Sequence, residues 1–167
     1  ILNAYNNDNL TNIERFDYIE DTVNNNFAGA GIAKFVAGQA WSSGDKKIKK
    51  EYIKIFKRHL ALSIASLMQG YSDQEYSLIN SNFDESNDIS LIDMEIRNDA
   101  SSILVTWRVK KSKDRFFVID LLVADISLVV TKRSEFNSSL KKIDYDLQTF
   151  NEILRNQNEL SYNKIIQ

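Results

Sequence analysis

The 167-residue chain has no cysteine, no proline, a single histidine, five glycines and two tryptophans. Without cysteine there is no disulfide, no thiolate nucleophile and no cysteine metal site. The lone histidine, His59, would leave any metal centre to carboxylates, and the paired H-x-x-x-H spacing of a helical zinc site is missing. Gly29 and Gly31 fit neither the G-x-x-x-x-G-K-[ST] nor the G-x-G-x-x-G frame and follow no predicted strand, so they read as helix-start punctuation rather than a phosphate loop. No apolar run reaches the ~18 residues of a membrane span. The formal net charge of −2 argues against a surface shaped throughout for nucleic acid. Absent proline with abundant Asn, Lys and Ile reads as base-composition bias and carries no function.

What is present suits a folded domain: 43% hydrophobic, 11% aromatic and 26% charged residues. A chain of this length forms one domain, residues 1–167, that buries roughly two-thirds of its unfolded surface without needing a cofactor. The Asn-rich first nine residues are expected to fray. Charge is uneven. Residues 73–99 hold eight acidic side chains and one Arg, whereas residues 45–58 hold seven Lys or Arg against Asp45 and Glu51. The lysine-rich stretch is either a solvated helix face or a docking surface for an anionic partner or membrane.

Leu10, Ile13, Phe16, Ile19 and Val23 repeat at helical spacing up to the Asn24-Asn25-Asn26 run. A short helix is predicted over residues 30–37, ending near Gly38, with Trp41 just beyond. A long one is predicted over residues 45–69, with Ser43 or Asp45 as N-cap and Gly70 as its end. Its stripe of Ile48, Tyr52, Ile55, Phe56, Leu60 and Ile64 is apolar, and Lys46, Lys50, Lys54 and Lys57 lie on another face. The period then changes. Residues 71–79, 89–96, 103–109 and 116–123 read as four strands of an antiparallel meander. Helical spacing returns at Ile126, Val129, Phe136, Leu140 and Ile143, with Ser127 as N-cap, and an amphipathic segment covers residues 144–157. The fold class is α+β, helices packed on a four-stranded sheet.

The last predicted strand, Phe116-Phe117-Val118-Ile119-Asp120-Leu121-Leu122-Val123, does not alternate, so both its faces need cover. A register opposing Trp107 with Ile119 gathers Ile103, Val105, Trp107, Val109, Phe117, Ile119, Leu121 and Val123 on one apolar face. The other face holds Asp120 beside Arg108. A buried carboxylate needs a partner, and Arg108 is the nearest; the alternative is an acid or base facing a pocket, as in steroid-isomerase-like enzymes. Arg133 interrupts an apolar stripe, either snorkelling to the surface, pairing with Asp120 or Asp125, or meeting a ligand phosphate. His59 reads as a helix-flank residue, with a catalytic base as the other option.

Several motifs, in order, resemble the MlaC-like phospholipid-binding proteins, also called toluene-tolerance auxiliary proteins. The resemblance spans roughly residues 27–143. Its parts are Phe27, Ile32-Ala33, Val36-Ala37-Gly38-x-x-Trp41, then Tyr52, Phe56, Leu60 and Tyr71-Ser72-Asp73-Gln74. The fullest match is Val118-Ile119-Asp120-Leu121-Leu122-Val123-Ala124-Asp125-Ile126-Ser127-Leu128-Val129, followed by Arg133-Ser134-x-Phe136. Ala28 stands where the family usually has Asp, and Asp125 where it has Gly; Asp tolerates left-handed backbone better than most residues.

The resemblance implies a cystatin- or NTF2-like fold, a curved antiparallel sheet under helices with an apolar cavity between them. It implies no catalysis and no cofactor. It further implies a periplasmic phospholipid carrier, its signal peptide removed, working between an outer-membrane lipoprotein-porin complex and an inner-membrane ABC transporter with an MCE-domain protein to maintain outer-membrane asymmetry. On that reading Phe56, Leu60, Ile64, Val105, Trp107, Ile119, Leu121, Val129 and Phe136 line the tail cavity, and Arg108 and Arg133 lie near the head group. An NTF2-like enzyme using Asp120, or a peptide-docking module, are the competing functions.

Overall fold

Helices begin where a side chain can accept the free N–H groups of a first turn. In the computed structural model, which describes residues 1–69 and 74–167, a one-turn helix α1 (Leu2–Tyr5) precedes α2 (Asn12–Asn26). Thr11 starts α2 with a reciprocal capping box: its hydroxyl accepts from the Glu14 amide at 3.2 Å, and the Glu14 carboxylate accepts from the Thr11 amide at 2.8 Å. The helix ends on the last residue of the Asn run, as expected, with Asn26 bonding back to the Thr22 carbonyl at 3.2 Å. Nor does the N-terminus fray as expected: Ala4 is buried and Ile1, Leu2 and Tyr5 pack on the core.

Helix α3 (Gly29–Ala37) has Ala28 at its N-cap and no side-chain cap bond, the contact an Asp at this position would supply. Gly38 then adopts φ +54° and a 3₁₀ turn (Gly38–Ser43) leads to α4 (Lys46–Met68), capped by Asp45. Ser43 instead serves the far end of the chain, accepting from the Leu147 amide at 3.1 Å. The predicted end of α4 at Gly70 lies outside the described residues. Helix α5 (Leu128–Lys141) is capped by Ser127, as predicted, and α6 (Leu147–Ile165) by Asp146.

Helix α6 runs eight residues beyond its predicted end because its seam is partly polar. Asn151 donates to the Ile48 carbonyl at 3.3 Å and Asn158 to the Ile55 carbonyl at 3.0 Å. The matching seven-residue steps show that α4 and α6 run parallel, and the Arg155–Glu51 ion pair falls in the same register. Around this seam Phe16, Tyr52, Phe56, Leu60, Leu140, Phe150 and Leu154 are fully buried.

The sheet is an antiparallel meander in chain order: β1 (Glu75–Asp84), β2 (Ile89–Arg97), β3 (Ser102–Ser112), β4 (Arg115–Val123) and a two-residue β5 (Ile126–Ser127). It therefore has one strand more than expected. The start of the first predicted strand, residues 71–73, lies outside the described residues. Ala124 and Asp125 both take left-handed angles (φ 47° and 65°) in the β4–β5 turn, so Asp125 is accommodated as its short polar side chain allows.

The predicted register is corrected. Trp107 faces Leu121, not Ile119, because the β3–β4 loop is two residues long and a bulge follows Arg108. Beyond the bulge Val109 opposes Val118, so Val118 turns to the helical core and Ile119 leaves the Trp107 face. The helices pack on β4 and β5, while β1 to β3 are held mainly by one another.

Truncating the polar seam tests this packing. Asn158→Ala leaves the Ile55 carbonyl and the His59 ring without their partner, and it is expected to lower unfolding free energy by about 2 kcal/mol in urea titrations.

Candidate functional site

Pairs directly opposite in a sheet share a face, so the register defines a continuous apolar surface. Leu78, Met94, Val105 and Val123 form one row across it, Ile92, Trp107 and Leu121 the next, and Tyr76, Ile96 and Ile103 a third. Where this face meets the helices it is covered. Met94, Val105 and Leu121 are buried in a cluster with Trp107, Val123 and Leu128 of α5, and Leu2 of α1 lies on it. Toward β1 it opens to solvent, with Leu78 69% and Phe83 59% exposed. The reverse face pairs Asp93 with Thr106, Glu95 with Leu104 and Arg108 with Asp120. An apolar face of this extent left partly uncovered is the candidate binding surface.

Asp120 fastens this sheet to the helices. Its carboxylate, 4% exposed, accepts from the Leu121 amide at 2.8 Å, the Val129 amide at 3.1 Å and the Ser127 hydroxyl at 2.6 Å, with the Arg108 guanidinium 3.6 Å away. These partners hold the β4–β5 turn and the first turn of α5. The structural alternative read for Asp120 is what its geometry supports, and the predicted Arg108 partnership is present.

Two cavities adjoin this junction. One of about 270 Å³ is lined by Ile32, Phe35, Arg108, Ile119, Asp120 and Val129. The other, about 410 Å³, lies between α4, α5 and α6, with His59, Leu62, Ser66, Leu128, Lys132 and Lys164 in its wall. Of the residues expected to line a tail cavity, Val105, Trp107 and Leu121 share the apolar sheet face. Ile119 and Val129 line the smaller cavity. Phe56, Leu60, Ile64 and Phe136 are buried in the helical core, where Phe136 packs edge-on to Phe56 and Phe150 at 6.0 and 4.9 Å between ring centroids. They are core residues because α6 covers the stripe of α4 that the sequence reading assigned to a ligand. Missed by that reading were Met94, Ile92 and Leu78, whose strands alternate and so read as ordinary half-buried strands.

Arg133 neither pairs with Asp120 or Asp125 nor reaches a carboxylate: its guanidinium stacks over Phe35, 4.4 Å from the ring centroid, and donates to the Phe35 carbonyl at 3.0 Å. His59 packs against Phe136, and its Nδ1 lies 2.9 Å from Asn158 Oδ1. Since Asn158 spends its amide nitrogen on Ile55, Nδ1 carries the ring proton as donor. Burial, then the nearby Lys132 charge, pushes the imidazole down to about 4.

The family model for MlaC protein matches residues 1–157. The chain belongs to the MlaC family. The resemblance read from residues 27–143 thus extends over most of the sequence. The fold of this MlaC-family chain is similar to that of a phospholipid-binding protein from Ralstonia solanacearum, solved in complex with a phospholipid: the TM-score is 0.78 at 14% identity, covering 96% of this chain and 92% of that one. At that identity the likeness is one of fold, helices flanking an open antiparallel sheet. No curated protein sequence matches.

Two outcomes follow from the site. Asp120→Asn removes the charge and presents a donor where three donors converge, so it should destabilise the fold by about 2 kcal/mol; chemical denaturation measures it. His59 has a folded pKa below its unfolded one, so its contribution to stability is present above about pH 6.5 and is lost as pH falls toward about 4. The wild type should lose about 2 kcal/mol more over that interval than His59→Gln, read from urea unfolding at each pH.

Proposed function

We propose that this protein carries phospholipid, holding the two acyl chains between the apolar face of the sheet and the helical body. The observation that carries the reading is the apolar face itself, closed against α5 at one side and open along β1 at the other. Membership of the MlaC family and the phospholipid held by the Ralstonia solanacearum protein of the same fold support it.

The physical requirement is strict. Two acyl chains contain roughly 30 methylenes, and exposing them to water would cost on the order of 24 kcal/mol at ~0.8 kcal/mol each. A carrier must take both chains out of water, and a pocket as apolar as a bilayer interior makes exchange with a membrane nearly neutral. In the proposed mechanism β1 to β3 swing from the body about β4, the strand to which the helices are attached, and the chains enter against Val105, Trp107 and Leu121. Opening of that kind also gives the tails access to Val129, while Phe56, Leu60, Ile64 and Phe136 stay packed in the helical core. The head group stays near solvent at the edge of the sheet; Arg108 and the Arg133–Phe35 stack, which border the smaller cavity on the reverse face of the sheet, attract its phosphate from there. Ile119, in the wall of that cavity, lies across the sheet from the tails and does not line their path. Such a carrier needs neither nucleotide nor cofactor of its own.

The place and partners follow the family reading: a periplasmic shuttle between an outer-membrane lipoprotein-porin complex and an inner-membrane ABC transporter with an MCE-domain protein, serving outer-membrane lipid asymmetry. Direction of transport is then set by those complexes, because exchange with the carrier itself is close to isoenergetic.

Native mass spectrometry of protein purified without detergent should show a phospholipid adduct. A clean unliganded mass, together with no uptake from liposomes, would sink the carrier reading. Leu121→Trp fills the centre of the apolar face and should cut lipid loading several-fold while leaving the folded circular dichroism spectrum in place.

A further inference from the structure

A second surface, separate from the apolar face, is built for negative charge. Helix α4 carries Lys50, Lys54 and Lys57 at steps of four and three residues, and these line a groove of about 510 Å³ against the C-terminal half of α2. Arg58, Ile53, Asn24 and Glu20 complete the wall. Glu20, the one carboxylate among its described lining residues, is taken by Arg58 at 2.8 Å. Among the described residues no carboxylate lies within ion-pair distance of Lys50, Lys54 or Lys57. Asp17 and Asp21 of α2 do not line the groove.

Of the three, Lys57 is held in place, whereas Lys50 and Lys54 are exposed. Glycine at position 29 leaves room for the stem of Lys57, which occupies the space a side chain there would take. Outside the groove, at the end of α2, the Arg115 guanidinium of β4 donates to the Asn25 carbonyl at 2.9 Å. Like charges four residues apart disfavour a helix, and here they stand unneutralised on a protein of net charge −2.

We propose that the groove docks the protein on a membrane surface by binding the phosphates of anionic lipid head groups. The chemistry of its wall selects this occupant. Ammonium groups on flexible stems attract a diffuse, fluid layer of charge without demanding its shape, and such basic clusters recognise anionic lipid surfaces. A protein partner would call for the aromatic and arginine anchors typical of interface cores, where lysine is depleted. The groove offers none: its arginine is already paired and stacked on Phe16 and Tyr162. This inference does not rest on the carrier reading, since the groove and the apolar face share no residue.

Co-sedimentation with vesicles tests it. The protein should bind vesicles of 30% phosphatidylglycerol in phosphatidylcholine at 50 mM NaCl, bind pure phosphatidylcholine at least tenfold less, and dissociate at 500 mM NaCl. Lys50→Glu/Lys54→Glu should weaken partitioning at least tenfold, whereas Lys141→Glu/Lys142→Glu, an equal charge change at exposed positions elsewhere, should leave it within twofold. Equal binding to both vesicles overturns the proposal, as does equal weakening by both variants. So does displacement by 10 mM inorganic phosphate beyond that of chloride at matched ionic strength, which would assign the groove to free phosphate. Native mass spectrometry of the Lys50→Glu/Lys54→Glu variant keeps the two readings apart: lipid loading should be unchanged whichever way vesicle binding falls.

Discussion

One buried carboxylate organises the join between the two halves of this fold. Asp120 lies on β4 yet bonds to the amide of Val129 and the hydroxyl of Ser127, so the sheet, the reversing turn and the start of α5 are fixed together. A carboxylate this buried is stable only with its acceptor sites filled, and filling them dictates where the chain must go next. The left-handed pair Ala124 and Asp125 and the Ser127 cap are the local means by which it gets there. The bulge after Arg108 belongs to the same constraint, since it brings Arg108 opposite Asp120 while returning Val118 to the helical core.

Because the attachment runs through β4 and β5, the remaining strands are tied to the helices only lightly. The helical body is closed by aromatic packing and by the asparagine seam between α4 and α6; the outer sheet is held by its ladder. Such a division suits a protein that must open a seam for an apolar guest without unfolding. In the proposed mechanism the helical body stays fixed while the strands that carry most of the apolar face move. The basic groove lies on the body, so a charged surface could hold the body while the sheet remains free.

Much of this was legible in the chain. Helical spacing at Phe16, Ile19 and Val23 and at Phe56, Leu60 and Ile64, the caps Asp45 and Ser127, the four long strands and the Arg108–Asp120 pair all follow from local pattern and from the cost of burying charge. The candidate site was read less well. Phe56, Leu60 and Phe136 looked like cavity wall because an apolar stripe does not say whether a neighbouring helix or a ligand will cover it. Asn151 and Asn158 carried no assignment, since nothing local shows that backbone carbonyls of α4 lie within their reach. Ile119 was placed on the wrong face because a two-residue turn and a single bulge together shift a register, and neither has a strong composition signal.

The sequence by itself determined which segments are helices and strands, the α+β class and, through the ordered motifs from Phe27 to Phe136, the family. These depend on spacing, capping and backbone preference, which act over a few residues. Tertiary structure alone decided what each apolar surface is packed against: α6 on α4, helices on β4, solvent on β1. It also decided that Asp120 is a clamp and that three lysines share a groove. Those outcomes depend on contacts between residues more than a hundred positions apart, for which no local pattern is a sufficient cause.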